Sequence, residues 1–343
     1  MTAAATAIPG AGRTPSAAAL LRDLYQPRPA IYWTDLLLSA LLGWGAFALF
    51  CLADSVPTGA AWAAVSVLLL YRAHLFVHEL SHAARRIPGF TAAWNLLAGF
   101  PLLVPSSFAV GVHALHHNAH VFGTAGDPEY LPFARSRLLI VRFLALTLMF
   151  PILMAVRFLL LGPVALLVPP LQRLLERHAT SLAMNAAFVR KVTPEEHRTM
   201  VREQVGILLF WTPWLVLLRA GILPPRVILC WLALATAISL VNGIRALGAH
   251  RYEGADPEFD RVGQFEDSID TPGGWWTGLW APVGHRYHAL HHFAPGLPYH
   301  NLGIAYRRLG AADTSPRLRH DVATSPGLAA SLRRLWGRAG EHA

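Results

Sequence analysis

The chain has 343 residues, of which 54% are hydrophobic and only 14% charged, whereas an ordinary soluble domain carries roughly a quarter charged residues. Its formal charge of +9 is almost all arginine, with Lys191 the only lysine. No basic helix or aromatic-basic array accompanies that charge, so the pattern excludes nucleic acid as the favoured partner and points to membrane-protein loops facing anionic lipid.

The first 30 residues are rich in Ala and Pro and lack the apolar core of a cleavable signal peptide, so they read as a flexible or interfacial arm. Residues 36–53, LLLSALLGWGAFALFCLA, carry no charge over 18 positions, with Trp33 and Trp44 as interface aromatics, and predict a spanning helix. After a short break at Asp54 to Thr58, a second uncharged run reaches Tyr71 and continues as a helix into VHELSH, which makes a helical hairpin. The stretch from Phe90 to Val110 is nearly uncharged but is interrupted by Pro101 and Pro105, so a broken, dipping or interfacial helix is expected there. A full crossing at that point would put the histidines on either side of it on opposite membrane faces. By the same parity, residues 138–169, punctuated by Arg142, Pro151, Arg157 and Pro163, cross an even number of times or lie in the interface. Residues 205–218 and 227–244 form a second apolar pair around a turn with Gly221, Pro224 and Pro225. Residues 251–284 read as an ordered polar loop, and the basic tail from Ala311 carries SLRRLWGR at 331–338, suited either to a surface helix or to a disordered tail.

With no repeat of 20–50 residues, the expected organisation is one membrane domain, 31–310, between the arm 1–30 and the tail 311–343. The expected fold is all-α and integral to the membrane, with about four transmembrane helices in two hairpins, interfacial helices, and a histidine-bearing cap on the cytosolic side. Cys51 and Cys230 both fall inside apolar helices, so no disulfide framework is expected.

Of 17 histidines, eight fall in three tight clusters: His78 and His82; His113, His116 and His117; His288, His291 and His292. On a helix, residues three or four apart share a face, so H-x-x-x-H and H-x-x-H-H each aim imidazoles at a common point. Imidazole suits iron, zinc, copper and nickel, and eight nitrogens exceed the needs of one ion, which makes a pair of ions the economical reading. His250, just past the last apolar helix, is either a ninth ligand or a headgroup-level surface histidine. His78, Glu79 and His82 also spell H-E-x-x-H, the zinc metallopeptidase signature, but that reading leaves both H-x-x-H-H clusters unexplained; with paired ions, Glu79 is a supporting residue instead. His74 and His120 stand as supporting partners or bystanders.

The motifs HELSH at 78–82, HALHH at 113–117 and GHRYHALHHFAPGLPYHNLGIAYRRL at 284–309 resemble those of the membrane fatty-acid desaturase superfamily of desaturases, hydroxylases and carotenoid ketolases, over about Leu36 to Leu309. The resemblance implies a mushroom-like four-helix stem with a cytosolic cap holding two non-haem irons. His78, His82, His113, His116, His117, His288, His291 and His292 match its ligands. His250 matches a further ligand of acyl-CoA desaturases, whose asparagine four residues earlier is here Ala246. GDPEYLP after the second box resembles the acidic segment of sphingolipid desaturases and carotenoid ketolases; Asp127 either orients a ligand imidazole or builds an Asp-Pro turn. In PYHNL at 298–302, His300 is read as structural.

The implied activity is O2-dependent desaturation of a lipid acyl chain, fatty acyl or sphingolipid-like, with lipid hydroxylation or carotenoid ketolation as the second reading. A zinc peptidase and a non-enzymatic metal-binding membrane protein are weaker readings. No haem or iron–sulfur cysteine pattern is present, so a separate ferredoxin or cytochrome b5-like carrier with its reductase is expected. The implied setting is a bacterial inner membrane, with the active site on the cytoplasmic face.

Overall fold

A computed structural model describes residues 16–182, 184–254, 260–312 and 323–341. Most of the N-terminal arm and part of the C-terminal tail lie outside the described residues. Those described form helices and no strand. In chain order the helices that build the molecule are α1 (Pro29–Leu52), α2 (Val56–Leu80), α3 (His113–His116), α4 (Arg137–Leu167), α5 (Pro169–His178), α6 (Pro194–Arg219), α7 (Arg226–Leu247), α8 (Arg261–Asp267), α9 (His288–Phe293), α10 (Tyr299–Ala311) and α11 (Leu328–Glu341). Five of them, α1, α2, α4, α6 and α7, are long and apolar enough to cross a membrane.

Local chemistry sets where these helices start. Pro29 opens α1, where a missing N–H costs nothing. Ser55 caps α2 by accepting from Thr58 N–H at 3.3 Å. Thr193 and Glu196 form a reciprocal capping box on α6, which begins eleven residues before the apolar run at 205 because its first turns are acidic and polar. Large side chains then point outward all along the apolar helices: Leu41 is 60% exposed, Leu52 72% and Leu209 72%. Such leucines are stable facing hydrocarbon and would form an aggregating patch in water.

The α1–α2 hairpin closes tightly at Gly43, where a Cβ would stand 2.7 Å from the Leu70 side chain, and Ser66 donates across the gap to Gly43 O at 3.0 Å. Near the other end, Asp35 accepts from Arg72 through both oxygens at 2.6 and 2.5 Å, and Tyr299 donates to the same carboxylate at 2.7 Å. A charged pair inside a membrane helix is tolerated when paired and hydrogen-bonded in this way.

The helix ends sort into two levels. Arg226 at the start of α7 donates to Ala53 O at the end of α1, so those two ends share one level. At the other, Tyr32 near the start of α1 donates to Glu79 near the end of α2, and Arg190, just before α6, binds Val110 O and Glu196 at 3.0 and 2.7 Å. All three histidine boxes lie at this second level. α4 starts there, its Arg137 donating to Trp336 O at 3.2 Å. The chain leaving it regains that level within α5, whose Glu176 meets His197 in the first turn of α6 at 2.7 Å. Ten residues of helix span about 15 Å, half of a hydrocarbon core of roughly 30 Å. The break expected between Phe90 and Val110 is present: a short helix at 90–94, a π-turn at 95–99 and a 3-10 turn at 106–108. The polar loop 251–284 holds α8, and α11 buries Ser331, Leu335 and Ala339 against the protein while Trp336 stays exposed.

Candidate metal centre

Nine histidines from four segments converge into two groups. His78, His82, His113, His117 and His291 form one; His116, His250, His288 and His292 form the other. Within each group the ligand nitrogens lie within 4.8 Å of one another. All eight box histidines and His250 are included. His250 is only 3% exposed, with its Nε2 2.9 Å from His288 Nε2, so it is not a surface histidine.

The boxes do not each aim at one point, as simple helical spacing suggested. In H-x-x-H-H the first and last histidines serve one group and the middle one serves the other: His113 and His117 against His116, and His288 and His292 against His291. At about 100° per residue, i+4 lies some 40° to one side of i and i+3 some 60° to the other, so adjacent histidines diverge. The first box is also not wholly helical, because His78 lies in the last turn of α2 and His82 in the turn beyond its C-cap, Ser81.

Carboxylates and an amide fix the rings. His116 Nδ1 faces Asp127 at 2.9 and 3.0 Å, His113 Nδ1 faces Glu129 at 2.8 Å, His250 Nδ1 faces Asp267 at 3.2 Å, and His292 Nδ1 faces Gln264 Oε1 at 3.4 Å. A proton held on Nδ1 toward such an acceptor leaves Nε2 as a bare lone pair. Those lone pairs point at one another: His113 and His117 Nε2 are 2.9 Å apart, His288 Nε2 is 2.9 Å from His250 and 3.2 Å from His292, and His291 and His117 Nε2 are 3.0 Å apart. His288 can donate to one of its two neighbours, not both. Both ring nitrogens of His78 are buried without a hydrogen-bond partner, as is His82 Nε2. Converging lone pairs and orphaned imidazoles fit two cations, with an all-nitrogen donor set suited to iron, zinc or copper.

Electrostatics agree. Burial pushes His82, His117, His288, His291 and His292 well below the usual histidine range, and neighbouring histidines push the same way, so these rings stand neutral, the form that can bind a metal. Burial opposes the proton on His116 too, but Asp127, Glu129 and Asp267 outweigh it and raise that pKa. Glu129 is held at about 2, because His113, His116 and Arg245 overcome the effect of burial.

Asp127 fills both roles foreseen for it. It accepts from Gly123 and Glu129 N–H at 2.8 and 2.9 Å, building the turn, while it orients His116. One Glu79 oxygen accepts from the Tyr32 hydroxyl and Tyr299 N–H while the other lies 3.9 Å from His78 Nδ1, so the carboxylate is engaged in holding α1, α2 and α10 together. His300 accepts from Arg28 N–H at 3.2 Å and is structural; His74 lines a cleft beside the site, and neither it nor His120 joins a group.

Five contributors escaped the sequence reading. Glu129 and Asp267 orient histidines of the two groups, and Gln264 joins them from α8. Asp270 accepts from Ala289 and Leu290 N–H at 2.8 and 3.2 Å, capping α9. His285 packs its ring 4.6 Å from His78, after Val283 and Gly284 turn the chain with positive φ. Gln264 and Asp267 carried a faint signal as spaced polar residues in a loop read only as ordered, and His285 stood inside the motif at 284–309 without a role.

Beside His78 and His113 opens a cleft of about 170 Å³ between α4 and α7, walled by Leu75, Phe143, Phe150 and Leu182, with polar groups along α7. Apolar walls leading to a polar centre suit an aliphatic substrate.

The sequence matches the fatty acid desaturase family over residues 55–322. It is also 40% identical over 330 residues to a ceramide hydroxylase of Caulobacter vibrioides, covering 95% of this chain and 93% of that protein. Five apolar helices, a buried histidine centre and this family match make the protein an integral-membrane oxidoreductase acting on lipid by a desaturase- or hydroxylase-type reaction. The chain belongs to the fatty acid desaturase family.

Proposed function

We propose that this protein hydroxylates a ceramide-like lipid at a pair of irons held by His78, His82, His113, His117 and His291 on one side and His116, His250, His288 and His292 on the other. The observation that carries the reading is the convergence of nine imidazoles into two groups at the end of an apolar cleft. Sequence alone put desaturation first; likeness to a ceramide hydroxylase favours hydroxylation. In balance, R–H, O2, two electrons and two protons give R–OH and water. Bound iron supplies the activation of O2 for attack on an unactivated C–H bond.

The chain's own residues do the rest. Asp127, Glu129, Asp267 and Gln264 keep protons on the outer ring nitrogens and lone pairs inward. Leu75, Phe143 and Phe150 exclude water and admit a chain from the side of α4 and α7. Four helices, α1, α2, α6 and α7, cross the membrane, and α4 lies along the interface; this is the parity that keeps His250 at the same face as the boxes. The histidine level faces the cytoplasm of a bacterial inner membrane, where a separate ferredoxin or cytochrome with its reductase delivers electrons. Residues 31–310 form the catalytic domain, with 1–30 and 311–343 as appendages.

Mass spectrometry of total lipids from cells expressing the protein, with His116→Ala as control, tests this. A gain of one oxygen supports hydroxylation, a loss of two hydrogens returns the reading to desaturation, and zinc in place of iron in the purified protein refutes the centre.

A further inference from the structure

The cleft beside His78 is not uniformly apolar. Ser239, Asn242 and Arg245 recur every third residue on α7, so they share one face, and all three line the cleft that ends at His78 and His113. Polar groups on an otherwise apolar membrane helix are costly unless something uses them. Arg245 stands out: its Nε donates to Asn242 Oδ1 at 3.1 Å, beside Tyr71, whose hydroxyl donates to Trp280 O at 2.9 Å. Among the described residues it forms no ion pair with a carboxylate.

The donors that remain are informative. A guanidinium carries five N–H groups, and Asn242, with its oxygen taken by Arg245, presents its NH2. Across the cleft, Thr147 gives its proton to Phe143 O at 2.8 Å. The α7 side is therefore rich in donors, facing the apolar walls of Leu75, Phe143, Leu146, Phe150 and Leu182, while the remaining polar groups of the other walls, Glu129 among them, gather at the histidine end. Such a strip recognises acceptor oxygens on a lipid and offers nothing to a plain alkyl chain.

We infer that Ser239, Asn242 and Arg245 hold the amide carbonyl and hydroxyl oxygens of the substrate lipid and so determine which carbon meets the metal centre. An alkyl chain in a smooth apolar channel slides by one methylene at little cost, because successive positions are equivalent. Pinning the oxygen-bearing end removes that freedom. Arg245 lies five residues before the ligand His250 at the end of the same helix, so the strip and the metal groups keep a fixed spacing. The inference rests on the proposed lipid oxidation for its chemistry, and it predicts binding selectivity that needs no turnover.

The test uses the full-length protein in nanodiscs, with a ceramide and a fatty-acid methyl ester of equal acyl length. Binding of a fluorescent ceramide is measured without reductant, and products are located by tandem mass spectrometry with reductant. Asn242→Leu should weaken ceramide binding at least about tenfold, leave methyl-ester binding and iron content unchanged, and scatter the oxidised position over adjacent carbons; Arg245→Met should weaken ceramide binding likewise, compared at matched iron content because Arg245 also helps keep Glu129 ionised. Arg245→Lys should restore part of the binding. Ser239→Ala, a smaller change, supplies the same readouts if a larger one lowers iron content. Unchanged ceramide binding in variants with wild-type iron overturns the inference. A wild-type protein that binds ceramide selectively but oxidises neither lipid overturns the proposed reaction and leaves the strip standing.

Discussion

Replacing Asp127 by Asn separates the two metal groups. The Asp127 carboxylate faces His116 Nδ1 at 2.9 Å and accepts from Gly123 and Glu129 N–H at 2.8 and 2.9 Å. An amide keeps one acceptor oxygen and sets an NH2 against groups that themselves donate, an opposition of buried donors that costs about 1–3 kcal/mol. Losing a carboxylate that orients a ligand imidazole weakens metal binding by about 10–100-fold. Because Asp127 touches only His116, of the four-histidine group, and Glu129 only His113, of the five-histidine group, each variant should loosen one ion. Chelator titration with metal counted per chain should be biphasic for Asp127→Asn, with one ion leaving early. Glu129→Gln should also be biphasic, with the other ion leaving early, the two told apart by cobalt(II) absorption at four- and five-nitrogen sites. Release of both ions together in either single variant would refute the assignment of carboxylates to separate groups.

Three further outcomes follow from contacts away from the ions. Gly111 has φ +86°, and a Cβ there stands 2.9 Å from Glu196 Oε1 and 3.3 Å from Arg190; Gly111→Ala should cost about 1–3 kcal/mol, read as a lower thermal midpoint, and an unchanged midpoint counts against the tight approach of Gly111 to Glu196. Asp35→Asn leaves Arg72 without its counter-ion, and since that side chain is 34% exposed the loss should be about 2 kcal/mol, below the range for a fully buried pair; Asp35→Asn with Arg72→Met should be milder than the single change, and a double variant as unstable as the single one contradicts this. Burial raises the Asp270 pKa from 3.8 to about 7 against the pull of two backbone N–H groups. The folded state then binds a proton more tightly than the unfolded one, so stability falls as pH rises from about 4 to 7; thermal midpoints at pH 5 and 8 should diverge in the wild type and converge in Asp270→Asn.

Much of this was legible in sequence because it is written in periodicity. Uncharged runs at 36–53 and 227–244 marked α1 and α7, and histidine spacing named the eight box residues that converge, while His250 was marked by its place past the last apolar helix and by the family resemblance. The division of each H-x-x-H-H box between groups was not legible, because spacing says which residues share a face and the partner segment decides which ion each side meets. Gln264 and Asp267 were missed because one turn of α8 in a polar loop has no repeat to betray it. The course of α4 was legible only as a parity rule, because its apolar stretch is long enough to cross yet is punctuated by Arg142, Pro151, Arg157 and Pro163.

The split boxes make the two groups one mechanical unit. α3 and α9 each reach into both groups, so a rotation or shift of either short helix displaces nitrogens at both positions at once. A change that loosens one position leaves the other holding its ion on a shared backbone, and the spacing of the two groups is set by the turn of a helix, not by the flexibility of side chains. A change of charge at one group is therefore felt at its neighbour through the backbone as well as through space.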